Sequence, residues 1–204
     1  MAKPKLYGVS GSRAIRSMWA IEEVGIEYEH VSVNFMEESK KPEYLAVNPN
    51  GRIPALQDGD LTLFESMAIN LYLAKTYGGD LYARDPANEA LAWQWSVWVM
   101  TEIEPPQMDI VVQKFFTPEE RRSADAIAAA EKTLARPLKV LDEALANRDG
   151  LLGDAFSIAD LNVSGVMLLL SMVKFDSSAY SNVKRWADAC YARPSLDRAK
   201  AVGK

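Results

Sequence analysis

Apolar and polar positions change rhythm along the 204 residues of this chain, and the change divides it. Early on, short apolar runs interleave with helical spacing. Lys5-Leu6-Tyr7-Gly8-Val9 reads as a strand, and Arg16 to Val24 as a helix that turns Met18, Trp19 and Ile21 inward before Gly25 stops it. Ile26 to Val33 reads as a second strand. Ala55-Leu56 and Leu61 to Leu63 flank Asp58-Gly59-Asp60 as the arms of a hairpin, since Asp-Gly supplies the positive φ a tight turn needs. Met67 to Ala74 then carries helical spacing up to Gly78-Gly79. The resulting order is β-α-β-(loop or helix)-β-β-α. Residues 80–88, with Pro86, read as a linker, after which the strand signal vanishes. Helical patterns follow at Glu89 to Thr101, at Met108 to Phe116 beyond a bend at Pro105-Pro106, and from Pro118 toward Asn147 with a kink near Pro137. Two more begin at Ser157 and close the chain. The pattern predicts an α/β domain over 1–80 and an all-α domain over 88–204. Leu91, Trp93, Trp95, Trp98, Val99 and Met100 exceed a single stripe, which predicts burial on several sides for the first helix of the second domain.

Composition narrows the partners. An apolar fraction of 49% with 25% charged residues is ordinary for a globular protein. The net charge of -5 argues against nucleic acid or an anionic membrane as the main partner. No apolar run approaches the roughly 20 residues of a membrane span, and Val163 to Val173 is expected to be a core helix. Met1 to Lys5 leads directly into the first strand without an apolar leader, so a cytoplasmic location is expected. The single cysteine, Cys190, excludes an internal disulfide framework and reads as a buried helical residue.

Asn48 to Ser66 holds the densest chemistry. Asn48-Pro49-Asn50-Gly51 is a turn, and Pro54 biases Ile53 to an extended conformation while donating no ladder hydrogen bond itself. The main chain of Ile53 is thus open to pairing with an extended peptide. Ser66 stands at or near the N-cap of the following helix, where free amides and the dipole favour a carboxylate, and Glu65 beside it suits an ammonium group. An amino-acid head at one end and an extended backbone at the other describe a small peptide.

This run resembles the glutathione-binding half of the cytosolic glutathione transferases, in particular a bacterial member of the theta-like and phi-like serine type. The resemblance implies a thioredoxin-like N-terminal domain, a cis Pro54, and a site in the cleft between the two domains. Glutathione is the implied co-substrate, with Glu65 and Ser66 at its γ-glutamyl end, Ile53 and Pro54 along the cysteinyl unit, and Lys40 and Arg52 at the glycine carboxylate. The family's histidine beside that lysine is replaced by Ser39. Ser157 with Asp160, Arg185-Trp186 and Ala192-Arg193-Pro194 extend the resemblance toward the C-terminus. A small apolar electrophile would meet Val9, Met108, Val112, Phe115 and Phe116. A homodimer is implied, and no metal is expected.

The loop Ser10-Gly11-Ser12-Arg13 precedes a helix N-terminus, which favours an anion such as a thiolate. It holds no cysteine, so thiol-disulfide chemistry is excluded, whereas a hydroxyl can stabilise a thiolate on a ligand by donating to it. Ser12 stands four residues before Arg16, as the catalytic serine of the resembling classes does. Ser10 and Tyr7 are the alternatives. Non-catalytic use of the fold as an interaction module, and glutathione-dependent isomerisation or dehalogenation, are the other functions this sequence allows.

Overall fold

The computed structural model describes residues 3–203, which form two compact units: the chain up to Arg84 together with the segment from Ala192, and Asp85–Tyr191. In the first unit, β1 (Lys5–Tyr7) pairs in parallel with β2 (Glu29–Val31) and antiparallel with β3 (Ala55–Asp58), which in turn pairs antiparallel with β4 (Leu61–Phe64). The sheet order β2-β1-β3-β4 puts β1 and β3 at its centre. Between β1 and β2 runs α1 (Ala14–Val24), ended by Gly25 in the left-handed region at φ 76. Its Met18, Trp19 and Ile21 are fully buried, as the spacing predicts. The hairpin turns at Gly59, φ 59, and leads through Phe64 into α3 (Ser66–Tyr77). The polar stretch 37–44 is not a bare loop: Glu38–Lys40 forms a 3-10 turn and α2 (Pro42–Leu45) follows, with Ser39 and Tyr44 buried.

The second unit is helical. It comprises α4 (Pro86–Trp98), α5 (Glu104–Val111), α6 (Ala124–Ala144), α7 (Ile158–Met172) and α8 (Ser181–Tyr191). α7 touches α4, α5 and α8, and its first nine residues are all buried. Asp160 starts it: Oδ2 accepts from the amide and hydroxyl of Ser157 at 2.9 and 2.6 Å, while Oδ1 accepts from Leu151 N and Trp186 Nε1, both at 2.8 Å. One buried carboxylate thereby joins a loop, a helix start and α8. Cys190 is buried. Among the described residues no helix is long and apolar enough to cross a membrane.

Three expectations change. First, α4 is not buried on several sides; Trp95 is inside, whereas Trp93 is 56% and Val97 63% exposed, so one face of the helix presents large apolar groups to solvent in the single chain. Second, Pro105 and Pro106 do not break the path. They lack N–H groups for an α ladder, and the preceding residues Val99–Ile103 form a π turn in which Glu104 N bonds Val99 O. Third, the chain from 192 does not cluster with the helical residues before it. α9 (Pro194–Ala201) packs on α1, where Trp19 Nε1 donates to Ser195 Oγ at 3.0 Å and Arg193 grips Glu23 through Nε at 3.0 Å and through a second nitrogen. Ser195 also donates to Glu23, and Arg198 Nε to Glu22 at 2.9 Å. Periodicity alone finds the helix but not the partner 170 residues away.

Candidate active site

Three segments of the first unit are drawn together around the Ile53–Pro54 peptide, which is cis. The turn Asn48 to Gly51 closes through Gly51 N to Asn48 O at 2.9 Å, and Asn48 Oδ1 accepts from Asn50 N at 3.1 Å, the local chemistry that makes asparagine a turn residue. The next carbonyl, that of Arg52, is fixed from two sides: Tyr44 Oη and Asn48 Nδ2 both donate to it at 2.7 Å. Burial pushes the Tyr44 hydroxyl up to about 12, with Asn48 opposing in part, so this donor keeps its proton throughout the neutral range. Ile53 is buried, and among the described residues its main-chain amide and carbonyl have no hydrogen-bond partner. That leaves a short extended segment with open valences, as strand addition requires.

Lys40 reaches this turn. Its ammonium donates to Gly51 O, and a Cβ on Gly51 would stand 2.9 Å from Ser39 O, so the turn and the 3-10 segment are in close contact. Ser39, which stands where the resembling classes have histidine, is buried and donates to Phe35 O at 3.1 Å; it faces inward and offers nothing to a ligand. The side chains of Lys40 and Arg52 are exposed.

At the start of α3 the geometry differs from a simple serine cap. Glu65, not Ser66, is the N-cap, with φ 72 and ψ 113, and Ser66 is the first helical residue, buried. A non-glycine residue in this region costs on the order of 1–3 kcal/mol, a cost that the surrounding structure must carry. It leaves Glu65 exposed at the N-terminus of α3, with its side chain making no cap hydrogen bond to the helix.

The loop between β1 and α1 supplies the hydroxyls. Ser12 Oγ donates to Val9 O at 2.7 Å and accepts from Ala14 N at 3.1 Å, which sets it immediately before the helix whose N-cap is Arg13. Gly8 brings the loop in: with φ 142, it has His30 Nε2 on its carbonyl at 2.9 Å, and a Cβ there would lie 2.5 Å from Ala14 Cβ and 3.6 Å from Ile53 Cβ. The loop therefore approaches the side chain of Ile53. Tyr7 points its hydroxyl elsewhere, to Gln57 Oε1 at 2.5 Å, and its ring lies 5.9 Å from that of Tyr44. Ser10 is half-buried in the same loop.

Of the apolar candidates, Val9 belongs to this loop, and the others lie on α5 and beyond. Met108 is half-buried, Val112 is exposed at the end of α5, and Phe115 and Phe116 occupy a π turn over Val112–Phe116. Val112 lines a groove of about 380 Å³ with Asp109, Gln113, Ala126, Ala129, Ala130 and Thr133. Among the described residues no cluster of His, Cys, Asp and Glu could hold a metal ion. Sequence reasoning missed Tyr44, Asn48 and Gly8 as the residues that fix the Ile53 segment. Asn48 was visible only as a turn former, and nothing local marks Tyr44.

A thioredoxin-like unit with a cis-proline segment open to a peptide, followed along the chain by a helical unit, is what the resemblance to glutathione transferases implies. The family model for the glutathione S-transferase N-terminal domain matches residues 2–75, and that for its C-terminal domain matches residues 103–194. The chain is 37% identical over 215 residues to glutathione S-transferase 1 of Zea mays, covering 100% of this chain and 99% of that protein. Among solved structures it resembles the theta class glutathione S-transferase of Xanthomonas axonopodis pv. citri with glutathione bound (30% identity, TM-score 0.88, covering 100% and 99%). It equally resembles glutathione S-transferase I from mais in complex with an atrazine glutathione conjugate (34% identity, TM-score 0.88, covering 98% and 97%). The chain belongs to the glutathione S-transferase family.

Proposed function

We propose that this chain is a glutathione transferase of the serine type, related to the phi and theta classes, in which Ser12 activates the thiol of bound glutathione. The observation that carries this reading is the approach of the Ser12 loop, through Gly8, to the side chain of Ile53, the residue whose main chain is open to pairing. A cysteinyl unit paired with Ile53 beside cis Pro54 would place its sulfur toward that loop. Glu65 and Ser66 hold the γ-glutamyl end, and Lys40 and Arg52 hold the glycine carboxylate, Arg52 taking the share that Ser39 gives up. The electrophile is small and apolar and is met by Val9, Met108, Val112, Phe115 and Phe116. No metal takes part. The thiol proton passes to solvent, the thiolate sulfur forms a bond to the electrophilic carbon, and the leaving group departs with its bonding pair.

A free thiol ionises near pH 8.5, so only a few per cent is thiolate at neutrality. A hydrogen bond to a charged acceptor contributes about 1.5–3 kcal/mol. Ser12 must first give up Val9 O, which puts the net gain near the lower end, about one pH unit at 1.36 kcal/mol per unit. Ser12→Ala should therefore raise the midpoint of thiolate absorbance in the binary complex by about one pH unit, while glutathione affinity stays nearly constant. Ser10→Ala and Tyr7→Phe should leave it in place. If one of those moves the curve and Ser12→Ala does not, the role passes to that residue.

The enzyme works in the cytoplasm as a homodimer. The exposed apolar groups Trp93 and Val97 on α4, and Leu61 and Phe64 on β4, support a second copy as their cover, because a monomer seldom leaves so many large side chains in water. Sedimentation at micromolar concentration should give the mass of two chains.

A further inference from the structure

Val112–Phe116 closes the α5 segment with a ring one residue wider than an α turn, and it is fastened at four points. Thr117 caps it twice, its amide and its hydroxyl donating to Val112 O at 2.8 and 3.0 Å. Gln113 Oε1 accepts from Ser123 N, the N-cap residue of α6, at 2.9 Å. Lys114 Nζ donates to Val173 O, the last carbonyl region of α7, at 2.8 Å, where a cation is also favoured by the helix dipole. Arg122 Nε donates to Thr117 O at 3.1 Å. Every polar side chain of the turn is thus engaged with a neighbouring helix terminus or with the turn itself. The apolar Phe115 and Phe116 make no such tie and stand 55% and 63% exposed. Two large rings are held out on a backbone that is pinned on both sides of them.

A wide turn is costly to leave to chance, since an α-helical continuation would carry the same residues in a different direction. Pinned, it presents the rings at fixed angles before any ligand arrives, and a preformed aromatic surface favours a flat π partner that can stack over a flexible chain that gains no such contact. We propose that Gln113, Lys114 and Thr117 are positioning residues that set electrophile selectivity: they hold the π turn so that Phe115 and Phe116 form a rigid platform for planar aryl electrophiles. The proposal rests on the reading that these two rings meet the electrophile.

The test compares two electrophiles with glutathione: chlorodinitrobenzene, a flat aryl halide from which the sulfur displaces chloride, and iodomethane, from which it displaces iodide without any ring to stack. Lys114→Met should lower kcat/KM for the aryl halide by roughly ten-fold, as a displaced positioning contact does. The rate with iodomethane and the KM for glutathione should stay near wild type, and Lys114→Arg, which still donates to Val173 O, should restore the ratio. Thr117→Val carries the same test if Lys114→Met does not fold. A double variant Phe115→Leu with Phe116→Leu serves as the reference. If it collapses the aryl-to-alkyl ratio while Lys114→Met and Thr117→Val leave it intact, the pinning has no role and the proposal is overturned. If the double variant also leaves the ratio unchanged, these rings do not meet the electrophile and the reading beneath the proposal fails with it.

Discussion

Asp160→Asn isolates what one carboxylate contributes to the helical unit. The side chain is fully buried and takes four hydrogen bonds, two on each oxygen. An amide of the same size has only one oxygen. If nitrogen takes the place of Oδ1, it faces the N–H groups of Leu151 and Trp186, neither of which can turn. If nitrogen takes the place of Oδ2, the Ser157 hydroxyl can rotate to accept, and only the Ser157 N–H is orphaned. The second arrangement is the cheaper: one unsatisfied buried donor at about 1–3 kcal/mol, plus the loss of charge assistance on the bonds that survive, about 1 kcal/mol each. Against this, an amide is less costly to bury than a carboxylate by an amount that offsets part of the loss. The expected net is a destabilisation of about 3 kcal/mol, which at a slope of roughly 2–3 kcal/mol/M moves the urea midpoint down by about 1 M. Equilibrium unfolding, followed by tryptophan fluorescence and far-UV circular dichroism at one fixed protein concentration, measures it, since association would otherwise shift the midpoint. Ser157→Ala removes a single hydroxyl and should cost about 1 kcal/mol, in line with a lost N-cap. Turnover per folded molecule should be unchanged in both. An Asp160→Asn midpoint within about 0.3 M of wild type, where the same slope makes the loss under 1 kcal/mol, would refute the accounting.

Three further outcomes follow from the first unit. Burial alone pushes the Glu23 carboxyl up, but the hydrogen bonds from Arg193 and Ser195 and the charges of Arg193 and Arg198 outweigh it, and the net is below the ordinary 4.5. A lowered folded value means that its stabilisation is present above 4.5 and is lost as pH falls through the lower folded value. The gap in urea midpoint between wild type and Glu23→Gln should accordingly be largest at neutral pH and close in acid below 4.5; a gap that widens in acid contradicts this sign. Gly8→Ala forces a Cβ to within 2.5 Å of Ala14 Cβ at a φ of 142, and should destabilise by about 2–3 kcal/mol while displacing the Ser12 loop; calorimetric Tm and glutathione binding both report it. Glu65→Ala should weaken glutathione binding by about 1.5–3 kcal/mol in isothermal titration, the size of one charge-assisted bond, and an unchanged affinity would remove Glu65 from the site.

Where the sequence was legible, a local rule had one outcome. Asp58-Gly59-Asp60 between apolar arms is a hairpin, Gly25 ends α1 in the left-handed region, and Ser157 with Asp160 is a capping pair, all of which the structure contains. The β-α-β and β-β-α element order was readable for the same reason, while the thioredoxin-like arrangement was implied by the family resemblance of the run from Asn48 to Ser66. What escaped was long-range or oriented. Ser66 has the composition of an N-cap, but the strained residue is Glu65, and no residue type announces a positive φ at glutamate. Trp93 is apolar, and pattern counts it as core; its exposure depends on which neighbours the rest of the chain supplies. Tyr44 lies in a polar stretch, yet its hydroxyl fixes Arg52 O across eight residues. Arg193 shows only as a helix-flanking cation until Glu23 is seen to meet it.

That last contact bears on how the protein is made. The unit that carries β1 to β4 has its final helix, α9, encoded beyond the whole of Asp85–Tyr191. A ribosome adding about 5–20 residues per second releases the first four strands seconds before α9 exists. During that interval the side of α1 that α9 later covers, Trp19 and Glu23 included, has to wait open, and a chain cut just before Arg193 never closes it. Damage at the C-terminus should thus show first as a weakened N-terminal half.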